Sequence, residues 1–441
     1  MIKLKKLVIF SIYSLVLTSC ANNLIANKNI DDSIINYSSL ITAVESNDTN
    51  KTKSLLSNGI SSKIKNSKGQ TLLMMASQKG NQEIVKLICK NALDEIINDT
   101  NISNTEKILD PFWLKNKYQE FLNYTDSNKK TSLVYAIENK NNEVAEYLIN
   151  MGSDINVLTS EKDNLLLLAT EKDLNVNVIK LLIEKGLDVN SISKDGNSPL
   201  CYASFNGNKE VVKLLISKNA NVNNINGFKN SPLLLASFFE KSDLKTNYDE
   251  IISILIENKA DPNILNNNSD SLISLAIENS DISTLDKITN KIKYDKNILD
   301  KEGNNLFLIA SKKGNDAILE ELLKIGYSID SENYNGDNGI NLAIKNKKIN
   351  TAFFLKSKNI DIRHKNKNGE DSLQLSVLND TNGSMIELAS TLISKDIKKE
   401  ELKTLIDISY NQLKERYGYY YLFAYEPNSI NYFLRDKYSS M

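Results

Sequence analysis

A small residue returns at nearly constant intervals along this chain: Ala43, Ala76, Ala136, Ala169, Ala203, Ala236, Ala276, Ala310, Ala343 and Ser376. The successive gaps are 33, 60, 33, 34, 33, 40, 34, 33 and 33 residues. The gap of 60 is one period of 33 plus 27 inserted residues, and the gap of 40 is one period plus seven. A fixed period of this length is the mark of supersecondary units stacked in a row, each too small to bury its own apolar faces.

Each unit repeats one internal plan. A turn comes first, often with glycine, at Gly69, Gly196, Gly303, Gly336 and Gly369. Thr71, Ser198, Ser231 and Asp371 then stand where a side-chain oxygen can cap the first exposed N–H groups of a helix. Pro199 and Pro232 suit the first helical position, where no N–H is needed. A second helix follows with apolar residues at helical spacing, as in Val178, Ile179, Leu181, Leu182 and Ile183 or Val211, Val212, Leu214, Leu215 and Ile216. A loop such as Gly186-Leu187-Asp188-Val189-Asn190 closes the unit.

The segments TLLMMASQKGNQEIVKLI, SPLCYASFNGNKEVVKLLISKNANVN and SPLLLAS…EIISILIENKADPN resemble the ankyrin-repeat pattern T-P-L-H-x-A-A-x-x-G-x-x-x-V-x-x-L-L-x-x-G-A-D-x-N. The resemblance runs from about 39 to 395 as roughly ten units. It implies an all-α solenoid of stacked helix-turn-helix repeats with hairpin-like loops. The chain departs from the family at the histidine after P-L, where it has Met74, Val134, Leu167, Cys201, Leu234, Ser274, Leu308, Asn341 and Gln374. In the family that histidine supports the turn, so its loss leaves open what keeps the hairpin loops rigid.

Two places break the period. About 91–125 contains DPFWLKNKYQEFLNY, in which Phe112, Trp113, Leu114, Tyr118, Phe121 and Leu122 form an apolar stripe. This predicts an extra helix folded against the solenoid, with Trp113 in the packing or, alternatively, in a partner contact. The seven residues near Lys241–Tyr248 are polar and predict a longer loop. Residues 396–441 change character and carry Tyr417, Tyr419, Tyr420, Tyr421, Phe423 and Tyr425. They are expected to form a helical cap, since a terminal repeat exposes an apolar side, with an aromatic docking surface as the alternative.

The chain starts with Lys3, Lys5 and Lys6, then an apolar run of eleven residues, Leu7–Leu17, then Thr18-Ser19-Cys20. Eleven residues do not span a bilayer, which takes about 20. The pattern predicts an export signal over 1–19, and L-T-S-C resembles a bacterial lipobox. That resemblance implies lipidation of Cys20, membrane anchoring through the lipid at the cell envelope, and a polar tether over 20–38.

Of the 441 residues, 54 are basic and 55 acidic, which removes the electrostatic ground for expecting a nucleic-acid partner. The single histidine, His364, rules out a multi-histidine site within one chain and is expected to be solvated in a loop. Cys89 and Cys201 sit in apolar helical patterns three units apart, which predicts buried thiols rather than a disulfide. No phosphate loop, C-x-x-C or H-E-x-x-H motif occurs, so no cofactor and no small-molecule substrate is expected.

The ankyrin resemblance implies recognition of another protein through turn tips and the exposed side of first helices. Those positions are Lys194, Asp195, Asn197, Phe205 and Asn206 in one unit, then Gly227, Phe228, Asn230, Phe238 and Phe239 in the next. Equivalent positions elsewhere are polar, as at Gln78, Lys79, Glu138, Asn139, Glu171, Lys172, Lys312 and Lys313. Phe205, Phe228, Phe238 and Phe239 therefore form the candidate partner-binding patch, unless the neighbouring insertion covers them. The leading expectation is a non-catalytic, lipid-anchored binding scaffold. A carboxylate-dependent enzyme and a purely structural envelope component are the alternatives.

Overall fold

From the second repeat onward, each first helix is started by a short oxygen-bearing side chain. Thr71, Thr131, Asn164, Ser198, Ser231, Ser271, Asn305, Asn338 and Asp371 each accept a hydrogen bond from the backbone N–H three residues on. The donors are Met74, Val134, Leu167, Cys201, Leu234, Ser274, Leu308, Asn341 and Gln374. These are the same positions from which the histidine is missing. The caps settle helix N-terminal donors that have no intrahelical partner.

The computed structural model describes residues 35–99, 112–238, 245–278, 294–380, 384–393, 397–417 and 430–440. Its regular elements are helices, with no named strand among the described residues, and the chain divides into two compact units at Asn221/Val222. In the first unit the helices Leu72–Lys79, Ser132–Glu138, Leu165–Glu171 and Pro199–Phe205 pack side by side, each on the next. Their partners Gln82–Ile97, Asn142–Asn150, Val176–Glu184 and Lys209–Ser217 do the same. In the second unit Pro232–Ser237, Leu272–Glu278, Leu306–Lys313, Gly339–Lys345 and Ser372–Asn379 form the corresponding row. Lys399–Tyr417 packs on Ser372–Asn379 and on Ile430–Ser440, burying Leu402 and Leu405. The architecture is the all-α, ankyrin-type array that the period implies.

The first helices are apolar almost all round because both neighbours and their own second helix cover them. Leu72, Leu73, Met74 and Ala76 are completely buried, as are Leu306, Phe307, Leu308 and Ala310. Every periodic small residue from Ala43 to Ser376 is buried, at 4% exposure or less. A larger side chain there would force the helices apart.

The hairpin loops have a fastening that the sequence reading did not foresee. Each loop opens on a side chain whose oxygen accepts backbone N–H groups two and four residues on. Asn66 does this for Lys68 and Gln70, Asn226 for Phe228 and Asn230, and Asn333 for Asn335 and Asp337, at 2.9–3.0 Å. Asp126, Thr159, Asn266, Asp300 and Asn366 repeat the arrangement, and Ser193 keeps its second bond, to Asn197. This is the local side-chain-to-backbone bonding that favours turns over helix or strand. Three residues past it the backbone is left-handed, with glycine at Gly69, Gly196, Gly303, Gly336 and Gly369, but Lys129, Lys162, Lys229 and Ser269 at φ 59–69° elsewhere. A side chain in that conformation costs roughly 1–2 kcal/mol, which the paired N–H groups offset.

The expected extra helix is present as Trp113–Leu122, packed on Gln82–Ile97. The second helix of that repeat runs on through Asn91 to Ile97 before the insertion departs. Of the expected stripe, Tyr118 and Leu122 are buried, Trp113 and Phe121 are half-buried, and Phe112 and Leu114 are exposed. Only the i, i+4 pair faces the core. Beneath it, burial pushes the Cys89 thiol up to about 11, and the hydroxyls of Tyr118 and Tyr147 offset only part of that. Cys89 and Cys201 are both buried and not bridged.

The second insertion differs from expectation. A helix already begins at Lys245, and Tyr248 is buried with Ile251, Ile252 and Leu255 at helical spacing. His364 also differs. It is half-buried, its Nε2 lies 2.8 Å from the Gly336 carbonyl and 3.3 Å from Glu332, and it ties one hairpin tip to the next.

Replacing the loop fastener should destabilise the array without touching its apolar core. Asn333→Ala strands two backbone N–H groups and is expected to cost ~1–3 kcal/mol in urea unfolding. Asn335→Ala, exposed two residues away, serves as the control and is expected to change stability negligibly.

Candidate partner-binding groove

The hairpin tips and the exposed ends of first helices meet at a recurring pair of positions. The last residue of the five-residue hairpin faces a residue eight further on, at the end of the first helix. Lys130 pairs with Glu138 at 2.7 Å, and Lys345 pairs with Asp337 at 2.7 Å. In the pairs Asn197/Phe205 and Asn230/Phe238 the helix-end residue is phenylalanine instead. Phe205 ends the helix Pro199–Phe205 and is 44% exposed, while Phe238 caps Pro232–Ser237 and is 40% exposed. Both rings stand where other repeats place a charge.

Phe228 sits on a hairpin tip and is 62% exposed. Its backbone is held from both sides: its N–H donates to Asn226 Oδ1 at 3.0 Å, and its carbonyl accepts from the Asn267 N–H at 3.0 Å. An exposed ring on a fixed backbone loses little freedom on contact. Phe205 belongs to the first unit, Phe228 and Phe238 to the second. Phe239 lies outside the described residues, as do Cys20 and the aromatic residues from Tyr419 to Tyr425.

The sequence reading passed over Asp163. It occupies the hairpin end of the same paired position, but its counterpart is Glu171, a like charge. Burial raises its carboxyl above the ordinary value of 3.8, and Glu161, Glu171 and Asp195 raise it further, against one hydrogen bond from the Lys194 backbone. By contrast, at Asp126 the effect of burial is outweighed by the Tyr135 hydroxyl, which donates to it at 2.6 Å, and by the backbone N–H groups of Lys130 and Asn128, so that carboxyl is lowered. Among the described residues no group of three or more His, Cys, Asp and Glu is placed to hold a metal ion. Nor, among them, is any helix long and apolar enough to cross a membrane.

Residues 13–101, 133–226 and 165–266 match the family model described as ankyrin repeats (3 copies), together just over half of the chain. The chain is an ankyrin-repeat protein. Ankyrin repeats generally act as protein–protein interaction scaffolds, and the family is typically non-catalytic. No curated protein matches the chain. The second unit of this ankyrin protein carries the same caps and loop fasteners beyond the last matched residue, at Asp300, Asn333 and Asn366.

The Asp163 arrangement carries a pH signature. A carboxyl whose folded value is raised favours the neutral form, so it contributes stability below about pH 3.8 and loses it as pH rises through the folded value. Asp163→Asn is therefore expected to raise the melting temperature at neutral pH. The difference from wild type should shrink to nothing below pH ~3.8, as a series of melts across pH will show.

Proposed function

We propose that this ankyrin-repeat protein is a non-catalytic scaffold that holds another protein at a bacterial cell envelope, tethered through lipid on Cys20. The observation that supports the binding face is the placement of Phe205 and Phe238. Both occupy a helix-end position that is ion-paired at Glu138 and Lys345, yet both leave a large apolar surface in water. Aromatic side chains on a rigid support are the usual anchors of an interface. Phe228, and Phe239 by its sequence neighbourhood, extend the proposed anchor set.

The tether rests on the sequence alone. A cysteine directly after a basic start, an apolar run and small residues suits cleavage before Cys20 and acylation of its thiol. Two or more acyl chains give stable anchoring, at about 0.8 kcal/mol per buried CH2.

Capture from detergent-solubilised membranes tests both parts. The variant Phe205→Ala/Phe238→Ala/Phe239→Ala is expected to lose at least about 2 kcal/mol of binding, so recovery of the partner should fall well over tenfold while the melting curve stays close to wild type. Unchanged recovery removes the patch. Cys20→Ala is expected to move the protein from the detergent phase to the aqueous phase with partner binding retained in solution.

A further inference from the structure

The lysines of the groove face are not all alike. Where the face is ion-paired, Lys130 meets Glu138 at 2.7 Å and Lys172 meets Glu171 at 2.7 Å. In the second unit Lys312 meets Glu302 at 2.8 Å, Lys313 meets Glu278 at 3.5 Å, and Lys345 meets Asp337 at 2.7 Å. The N-terminal end of the first unit lacks these pairs. There a concavity of about 880 Å3 lies between the helix over 35–45, the hairpin over 65–70 and the end of Leu72–Lys79. Lys65, Lys68 and Lys79 all line it and all are exposed, while Glu45 is the one acid in its lining. Among the described residues none of the three lysines has an acidic side chain within ion-pair distance. Lys65 instead lies 3.7 Å from the centre of the Tyr124 ring.

The reason is local. The paired positions that hold Lys130 and Glu138 one repeat later hold Gln70 and Gln78 here, so the glutamate that would neutralise a lysine is missing. Gln70 is turned toward its neighbour, donating to the Tyr135 hydroxyl at 2.9 Å. Neutral donors and acceptors from Asn66, Ser67 and Gln78 complete the wall. A concavity with several uncompensated cations and polar walls focuses a positive potential on whatever enters it.

We infer that this end of the groove takes an extended, acidic segment of the partner protein, its carboxylates meeting Lys65, Lys68 and Lys79. This deepens the scaffold reading and rests on it, naming the chemistry of one part of the partner. The aromatic residues supply apolar anchoring elsewhere, and the lysines select for charge. Electrostatic complementarity of this kind sets specificity and association rate more than total affinity.

The test uses the full-length chain and a fluorescein-labelled peptide of alternating glutamate and serine, with the glutamine version as control, read by anisotropy. The acidic peptide is expected to bind, the glutamine peptide to bind at least about tenfold more weakly, and the affinity to fall steeply between ~0.05 and ~0.5 M salt. Lys65→Gln/Lys68→Gln/Lys79→Gln should abolish the difference between the two peptides. Lys68→Glu/Lys79→Glu, which spares the Lys65–Tyr124 contact, should do the same with an unchanged melting curve. Lys180→Gln/Lys213→Gln, on the second helices, should bind as wild type does. Equal binding of both peptides to wild type, no binding to wild type because residues before 35 already fill the concavity, or unchanged binding by the lysine variants each overturns the inference. The Phe205→Ala/Phe238→Ala/Phe239→Ala variant separates the two readings. It should bind the acidic peptide normally while failing to capture the partner, so a loss of partner capture with no acidic preference leaves the scaffold standing and removes only the charge selection.

Discussion

Everything in the array depends on one short-range interaction, a side-chain oxygen at the start of each hairpin that gathers two backbone N–H groups. A five-residue loop without strands leaves those donors with nothing else to bond. Asn66, Asn226, Asn333 and their counterparts close the loop on itself, and the next side chain but four then caps the first helix. The loop and the helix start are therefore one continuous hydrogen-bonded device. Buried asparagines also join loops to each other: Asn333 donates to Asn304 at 3.0 Å and Asn366 to Asp337 at 2.9 Å. This polar ladder holds the loops in a chain that lacks the family's histidines.

On that frame the groove positions are fixed to the period, and function is written in what fills them. One helix-end position carries a charge, a like charge or a ring in different repeats, as Glu138, Glu171 and Phe205 show. Each choice has a different consequence. A paired charge is quiet, a like charge adds to the effect of burial on the carboxyl at Asp163, and a half-exposed ring leaves apolar area in water. The scaffold can thus vary its face without altering its core.

The fold was legible because its signals are apolar and periodic. Ala76, Ala203 and Ala310 sit in one register, and Thr71, Ser198, Ser231 and Asp371 are residue types that cap. The fastener was not legible, because Asn, Asp, Thr and Ser all serve and the chain is full of such residues. Only the geometry of two converging N–H groups unites them. The second insertion hid its helix start behind polar residues, although Tyr248, Ile251, Ile252 and Leu255 keep helical spacing. The exposure of Phe205 and Phe238 follows from the period, but the residue each faces does not. That requires knowing that hairpin end and helix end are brought together in space. Asp163 was invisible for the same reason, since its raised carboxyl comes first from burial and then from Glu161 and Glu171, which only the fold brings together around it.

Three residues before several of the fasteners an asparagine ties a repeat to the one after it. Asn190 accepts from the Asn221 N–H at 2.8 Å, Asn223 from Asp261 at 2.8 Å, and Asn263 from Asp295 at 2.7 Å. The contact from Asn223 reaches across 38 residues and the one from Asn190 across 31, yet the clasp is the same. The seven additional residues have been taken up wholly between a first helix and its second. Length added at the bend between paired helices therefore leaves this clasp unchanged, whereas the larger insertion over about 91–125 falls on the other side, between a second helix and the next hairpin. At Asn223 the extra residues lengthen one side of the repeat while the hydrogen bond to the following loop keeps the form it has elsewhere.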